Sequence, residues 1–331
     1  NMNLQRLKYK LHSGKNPKFL YYICAYARLL VPRFLLRPRV ARLDDIVEKR
    51  PDLDYIARRV HYYAKASIYP SVTQEEWMQG SCEVRHTPMP RQKVYWLDSM
   101  PFARYFPKTS RWHLEWGDVD YVPQVPSITK SRPISADNHN AVIMKLDRVR
   151  HFTFVTDRMP WRDKIDRVIF RGKVAGKEPR LCFMRRYYGH ERVDAGTIDN
   201  IRPELTRPKM SLYAHLRYRY IMCIEGNDVA SNLKWVMSSN CIAVMPRPTC
   251  ETWFMEGQLV PDYHYIEVKP DFSDLIERLD YYSAHPTEAE SIVRHAHEWV
   301  NQFRDRRREK LISLLVMRRY FRGVEKIGEE A

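Results

Sequence analysis

Between residues 165 and 284 short apolar runs alternate with segments of helical periodicity, and this constrains the fold more than any other feature of the chain. "RVIF" reads as a strand, "GKVAGKEP" as a loop and "RLCFMRRYY" as a helix. "RYIMCIE", "SNLKWVMSS" and "CIAVM" follow as strand, helix and strand, and "HYIEVK" and "FSDLIERLDYYSA" close the series as strand and helix. Strands only a few residues long, each followed by a helix, predict parallel strands joined by crossover helices, an α/β layer.

The first half is less regular. "LDDIVEKRPDLDYIARRVHYYA" has apolar residues at helical intervals with a break near Pro51, while "KVYWLDSM", "WHLEWGDVDYV", "NAVIMKL" and "FTFVTD" read as strands. The polar, proline-containing "RMPWRDKID" (158–166) marks a boundary, and "TEAESIVRHAHEWVNQFRDRRREKLISLLVMRRYF" holds two helices. With 331 residues the chain exceeds one ordinary domain, so two α/β domains with a cleft between them are expected.

Charge narrows the partner class. The formal net charge is +16, which calls for an anionic partner: nucleic acid, acidic lipid or a phosphorylated small molecule. Residues 1–39 hold Arg6, Lys8, Lys10, Lys15, Lys18, Arg28, Arg33, Arg37 and Arg39 and no acidic residue. The apolar stretch "FLYYICAYARLLVPRFLL" in that end is interrupted by Arg28, too short to span a bilayer and unlike a clean signal peptide. Two readings fit it: a helix lying on an anionic membrane surface, or an amphipathic helix packed on the protein. Six cysteines without a CxxC pair favour a reducing compartment, the cytosol, and speak against structural zinc.

Three constellations carry chemistry. In "EGNDVAS" a tight turn follows a strand end: Gly226 permits close backbone approach, Asn227 or Asp228 can cap the following helix, and the amides of Val229, Ala230, Ser231 and Asn232 with Lys234 suit a phosphate. A helix cap with a surface lysine satisfies the same pattern. "IFRGKVAGKEPR" sets Arg171, Gly172 and Lys173 after a strand and Arg180 in the first turn of the next helix, where cations oppose the macrodipole unless an anion lies between them. In "EWGDVDYVPQVPSITKSRPI", Asp118 and Asp120 precede a proline-rich loop and Lys130 and Arg132 follow it; a carboxylate there can take a proton from a hydroxyl, or simply form the solvent face of a strand.

These segments, with "KLDRVRHF", "YRYIMCIEGNDVASNLKWVMSSN" and "ETWFMEG…HYIEVKPDFSDL", resemble glycosyltransferase family 90, the family of CAP10-like xylosyltransferases and protein O-glucosyltransferases, above all its bacterial lipopolysaccharide core branch. The resemblance implies a GT-B fold, two Rossmann-like domains facing a cleft, with basic N-terminal helices and C-terminal helices. It implies inverting transfer of glucose or xylose from a UDP-sugar, with no required metal or cofactor, to a hydroxyl of a lipopolysaccharide core or related glycan. The acid before "PQVP" is the implied base; Asp118 within "GDV" is favoured over Asp120. The implied donor contacts are Arg171, Gly172, Lys173 and Arg180 with Glu225, Gly226, Asn227, Val229, Ala230, Ser231, Asn232 and Lys234. Lys130, Arg132, Lys145 and Arg150 fall to the acceptor side or cleft.

The expected division is 1–40 as a basic membrane-associating segment, 41–158 as the acceptor-side α/β domain, 159–304 as the nucleotide-sugar domain and 305–331 as a C-terminal helix. An enzyme of this kind is expected in the cytoplasm, peripheral on the inner face of the cytoplasmic membrane, meeting a lipid-linked acceptor. The competing class is a non-catalytic protein holding an anionic ligand. Nucleic acid is not expected, because the basic residues fall at strand ends or share a segment with apolar residues instead of lining one face with aromatic residues.

Overall fold

A computed structural model describes residues 14–328. Two compact units form. One, the helical unit, comprises Pro17–Val149, Cys250–Met255 and the segment from Phe303; the other, the sheet unit, comprises Arg150–Thr249, Glu256–Gln302 and the short stretch ending at Asn16. The chain therefore passes from the helical unit to the sheet unit at Val149/Arg150, a little before the polar break at 158–166, and its last helix joins the unit of the first half.

The helical unit opens with α1 (Lys18–Leu29), followed by α2 (Arg37–Ala41), α3 (Leu43–Glu48), α4 (Leu53–Tyr63) and α5 (Lys93–Ala103). The helices α3 and α4 fall where periodicity predicts them, with the break around Pro51. The expected strand at "KVYWLDSM" is instead α5. Tyr95, Leu97, Asp98, Ser99, Met100 and Ala103 are buried, so the segment is enclosed on most sides and its apolar pattern cannot distinguish the two periods. Asp98, within α5, accepts hydrogen bonds from the Tyr21 hydroxyl and from the Arg148 amide and Nε.

Strands here are short: β1 (Ser127–Thr129) pairs in parallel with β3 (Ala141–Ile143), and β2 (Ser131–Pro133) pairs antiparallel with a strand that returns at Cys250–Thr252. Of "WHLEWGDVDYV" only Trp112, the second residue of the short strand Arg111–Trp112, and a bridge at Leu114 are paired. Among the described residues this unit has no sheet of more than two strands, so an extended Rossmann-like sheet is seen in one unit only.

The sheet unit holds β4 (Ile165–Gly172), α6 (Glu178–Tyr187), β5 (Val193–Thr197), β6 (Tyr218–Met222), α7 (Leu233–Met237) and β7 (Ile242–Met245). After the excursion of β8 (Cys250–Thr252) into the helical unit come β9 (Ile266–Glu267), α8 (Leu275–Ala284) and α9 (Pro286–Asn301); α10 (Arg306–Val324) belongs to the helical unit. All five strands are parallel, in the order β9-β7-β6-β4-β5. Numbered by sequence within the sheet this is 2-1-3-4-5, a doubly wound order whose direction reverses between β4 and β6.

Burial follows the same logic. All four residues of β7 are buried, as expected of a central strand covered on both faces, and Val168, Phe170, Tyr220, Met222, Phe183 and Phe272 fill the core beside them. Strand β5, "VDAGT", was not among the expected strands. Asp and Gly lower its β-propensity, yet it pairs with β4 over five positions. "FTFVTD" forms no ladder: its Val155 amide donates to Ser238 Oγ instead of to a strand neighbour.

Candidate active site

In open parallel sheets ligands gather beyond the carboxyl ends of the strands where the strand order reverses. Here that point is flanked by the turn after β4 (Gly172 onward) and the turn after β6 (225–228). Arg180, in the first turn of α6, joins them: Nη1 donates to the Lys173 carbonyl at 2.9 Å, Nη2 to Ile224 at 2.9 Å and Nε to Glu225 at 3.1 Å. Burial lowers the pKa of Arg180, yet guanidinium starts so high that it keeps its charge. Its partners are carbonyl oxygens, and among the described residues no carboxylate forms an ion pair with it.

Gly226 packs on this guanidinium. A Cβ there would lie 3.1 Å from Arg180 Nη2 and 3.6 Å from Lys177 Cε, so the glycine lets two cations approach the turn. Lys177 Nζ donates to Asn227 Oδ1, and Lys173 is exposed with no side-chain hydrogen bond among the described residues. Lys177 and Arg180 thus lie against one glycine, and Lys173 joins them through its carbonyl on Arg180. Lys177 was overlooked as a candidate although it stands in "IFRGKVAGKEPR"; its position one residue before α6 was the available signal.

Other expected donor contacts have different work. Arg171 points along the sheet: Nη2 donates to Asp194 Oδ1 at 2.6 Å and Nη1 to the Asp194 carbonyl at 2.8 Å, tying β4 to β5. Burial alone would raise the Asp194 pKa, but the Tyr218 hydroxyl and Arg171 more than offset it and hold the carboxyl below its usual range. Gly172 is required by packing, since a Cβ would come within 2.8 Å of the Phe170 ring. Lys234 is fully buried against the carboxylate of Glu256, so its charge is matched inside the unit and is not presented to a phosphate. Asn232 Nδ2 satisfies the Met222 carbonyl at 2.9 Å, and Glu225 accepts from the Thr249 amide and hydroxyl, bracing the turn. Val229 and Ala230 are buried and Ser231 is exposed. The helix that follows, α7, is only five residues long, which makes the guanidinium and ammonium groups the stronger attraction for an anion.

The acidic loop lies in the helical unit. Gly117 adopts φ 115°, and from there the side chains alternate. Asp118 forms an ion pair with the buried Lys130; Val119 is buried with its amide on Ser131 Oγ at 3.0 Å; Asp120 is exposed, with no hydrogen-bond partner among the described residues. The proline-rich loop begins next to it, and the exposed Tyr121 donates to Glu115 at 2.9 Å.

The cations assigned to the acceptor side are corrected by the fold. Arg132 is fully buried: Nε donates to Glu251 at 2.8 Å, Nη2 to the Tyr62 carbonyl at 2.6 Å and Nη1 to that of Ala141 at 3.0 Å. Lys130 is likewise buried, and Lys145 donates to Glu309 at 2.8 Å, a carboxylate that also receives Arg59 and the Trp253 indole. These three are matched by carboxylates inside the helical unit. Only Arg150, in the sheet unit, is exposed, with Nε 3.2 Å from His151 Nε2. Among the described residues no group of three or more His, Cys, Asp or Glu is arranged to hold a metal ion.

Comparison with known proteins adds to this geometry. The profile of glycosyl transferase family 90 matches residues 141–307, a span that contains the β4 and β6 turns. An O-glucosyltransferase LpsA of Dichelobacter nodosus is 38% identical over 312 residues, covering 93% of this chain and 96% of that protein. Protein O-glucosyltransferase 3 of Homo sapiens is 22% identical over 216 residues, 59% of this chain and 42% of its own length.

Proposed function

From its membership of glycosyl transferase family 90, which makes this chain a glycosyltransferase, we propose that it transfers a sugar from a UDP-sugar to a hydroxyl of a lipopolysaccharide core or related glycan, with inversion at the anomeric carbon. The observation that carries the donor half is the pair Lys177 and Arg180 against Gly226, with exposed Lys173 tied to Arg180 through its carbonyl, at the point where the sheet order reverses. Among the described residues none of these cations forms an ion pair, which suits a diphosphate. As the bond from C1 to the phosphate oxygen breaks, its electron pair leaves on UDP, and preorganised positive charge stabilises the departing anion. This is the task a metal ion performs elsewhere, and the reading has transfer proceed with a chelator present. Glucose, the sugar in the name of the bacterial relative, and xylose are the first donors to try.

Asp120 is the base in this reading. It is exposed, whereas Asp118 is engaged by Lys130 and so is the poorer proton acceptor. The carboxylate takes the acceptor hydroxyl proton while the oxygen forms its bond to C1 on the face opposite the leaving diphosphate. The reading includes a GT-B fold.

Calorimetric titration with UDP, UDP-glucose, UDP-xylose and GDP in EDTA tests the donor half. Binding selective for the uridine nucleotides is expected, and absence of UDP binding overturns the reading. Nuclear magnetic resonance of the product formed from UDP-glucose tests inversion; retention of the α configuration rules it out.

A further inference from the structure

Helix α1 is held along one side only. The Tyr21 hydroxyl donates to Asp98 at 2.9 Å, Ala25 is fully buried, and Arg104 grips the C-terminal end, donating to the Leu29 carbonyl at 2.6 Å and to Val31 at 2.8 Å. At 3.6 residues per turn Phe19, Ile23, Tyr26 and Leu30 form one stripe turned away from Tyr21 and Ala25. That stripe is open to solvent: Phe19 is 75% exposed and Leu30 82%. The chain then bends by 83° into Arg33–Ala41, where Phe34, 70% exposed, and Leu35 extend the apolar surface. Arg33 donates to the Phe106 carbonyl at 2.6 Å, so both arms of the bend are fastened to the unit.

The border of this surface is cationic. Lys18, Arg37, Arg39 and Arg42 are exposed and none of them forms an ion pair among the described residues, while the first acidic residue of the chain is Asp44. A contiguous exposed apolar surface marks an interaction site. A second copy of the chain is a poor occupant, because a self-contact would bring like charges together. We infer that α1 and the bend after it form a wedge that docks on the surface of an anionic lipid bilayer, aromatic and aliphatic side chains among the acyl chains and the four cations at the headgroups. The wedge lies in the interface and does not span. With 12 residues, α1 is about 18 Å long against a hydrocarbon core of about 30 Å, and no single described helix is long and apolar enough to cross a membrane. Such docking would hold a catalytic chain beside lipid-linked acceptors. The basic residues Arg6, Lys8 and Lys10 lie outside the described residues and are not needed for it.

The test is flotation of the full chain with vesicles of phosphatidylcholine alone or mixed with phosphatidylglycerol, at low and high salt. Flotation with the anionic vesicles only, weakened by salt, is expected. Phe19→Ser with Phe34→Ser, and separately Arg37→Glu with Arg39→Glu, each lower the bound fraction by about tenfold or more. All four positions are exposed, and an unchanged melting temperature checks that the variants fold. Failure of the unaltered chain to float, or full flotation of the Phe19/Phe34 variant, overturns the proposal. A concentration-dependent mass in light scattering that the same variant abolishes assigns the surface to a second copy, which also overturns it. Flotation reads the lipid contact alone, so a chain that floats without binding UDP refutes the transfer reading and leaves this one in place.

Discussion

Two sets of basic residues behave in opposite ways. In the helical unit Arg132 faces Glu251, Lys145 and Arg59 face Glu309, and Lys130 faces Asp118, each cation buried or nearly so with a carboxylate at contact distance. In the sheet unit Lys177 donates to an amide oxygen and Arg180 to carbonyl oxygens at the ends of β4 and β6, Lys173 stands exposed beside them, and among the described residues none of the three forms an ion pair. A charge taken out of water needs a counter-charge, so the matched cations are architecture. The unmatched ones stay near solvent and leave an electrostatic demand that a diphosphate fits. The lesson is that the partner, more than the residue type, separates a structural cation from a functional one.

The carboxylates bear the same contrast, and there the largest effect is expected. Asp120→Asn should lower kcat about 10²- to 10⁴-fold while UDP affinity in calorimetry stays the same. Asp118→Asn, which withdraws a partner from buried Lys130, should show its main loss in thermal stability; the reverse pattern for the two variants would exchange their roles. Next in size, Glu251→Gln leaves the charge of fully buried Arg132 poorly matched and should cost about 3–5 kcal/mol in denaturant unfolding. UDP affinity of the folded fraction should not move, and a large drop in it would break the distinction drawn here.

A neutral buried group sharpens the comparison. His264 accepts the Val260 amide on Nδ1 at 2.9 Å, and burial, with His295 nearby, depresses its pKa from 6.5 to about 4. The unfolded chain therefore takes up this proton near pH 6.5 and the folded chain only near pH 4. Stability supplied by the neutral ring is complete above pH 6.5 and falls as the pH drops through that window, by about 3 kcal/mol. Chemical denaturation at a series of pH values checks the slope, and His264→Phe should flatten it. Smallest is Lys177→Ala, expected to weaken UDP binding about tenfold with a stability change within about 0.5 kcal/mol. A loss of stability without a loss of affinity would move Lys177 into the structural set.

Much of the sheet unit was legible in the chain. Strands β4, β6, β7 and β9 and helices α6, α7 and α8 fall on the runs that local periodicity picks out, and the two turns that flank the candidate site were both singled out. Elements with mixed local signals escaped. β5 carries Asp194 and Gly196 and becomes a strand through its pairing with β4; α5 looks like a strand because nearly every side of it is buried. In the site, Arg171 and Lys234 looked like phosphate contacts because a sequence shows a cation without showing the Asp194 or Glu256 that matches it.

By itself the amino-acid order determined the α/β alternation, the places where loops meet strand ends, the concentration of positive charge in the first 39 residues and the resemblance to a family, since each depends on neighbours within a few positions or on a string of residues. Only the tertiary structure decided the strand order that brings the turns after β4 and β6, with Gly172 and Gly226, side by side, the approach of Lys177 and Arg180 to one turn, and the assignment of each carboxylate to its cation. Those facts join residues such as Arg132 and Glu251, 119 positions apart in the chain. Contacts of that range are chosen by packing and by the cost of burying an unmatched charge, and neither is encoded in any local stretch.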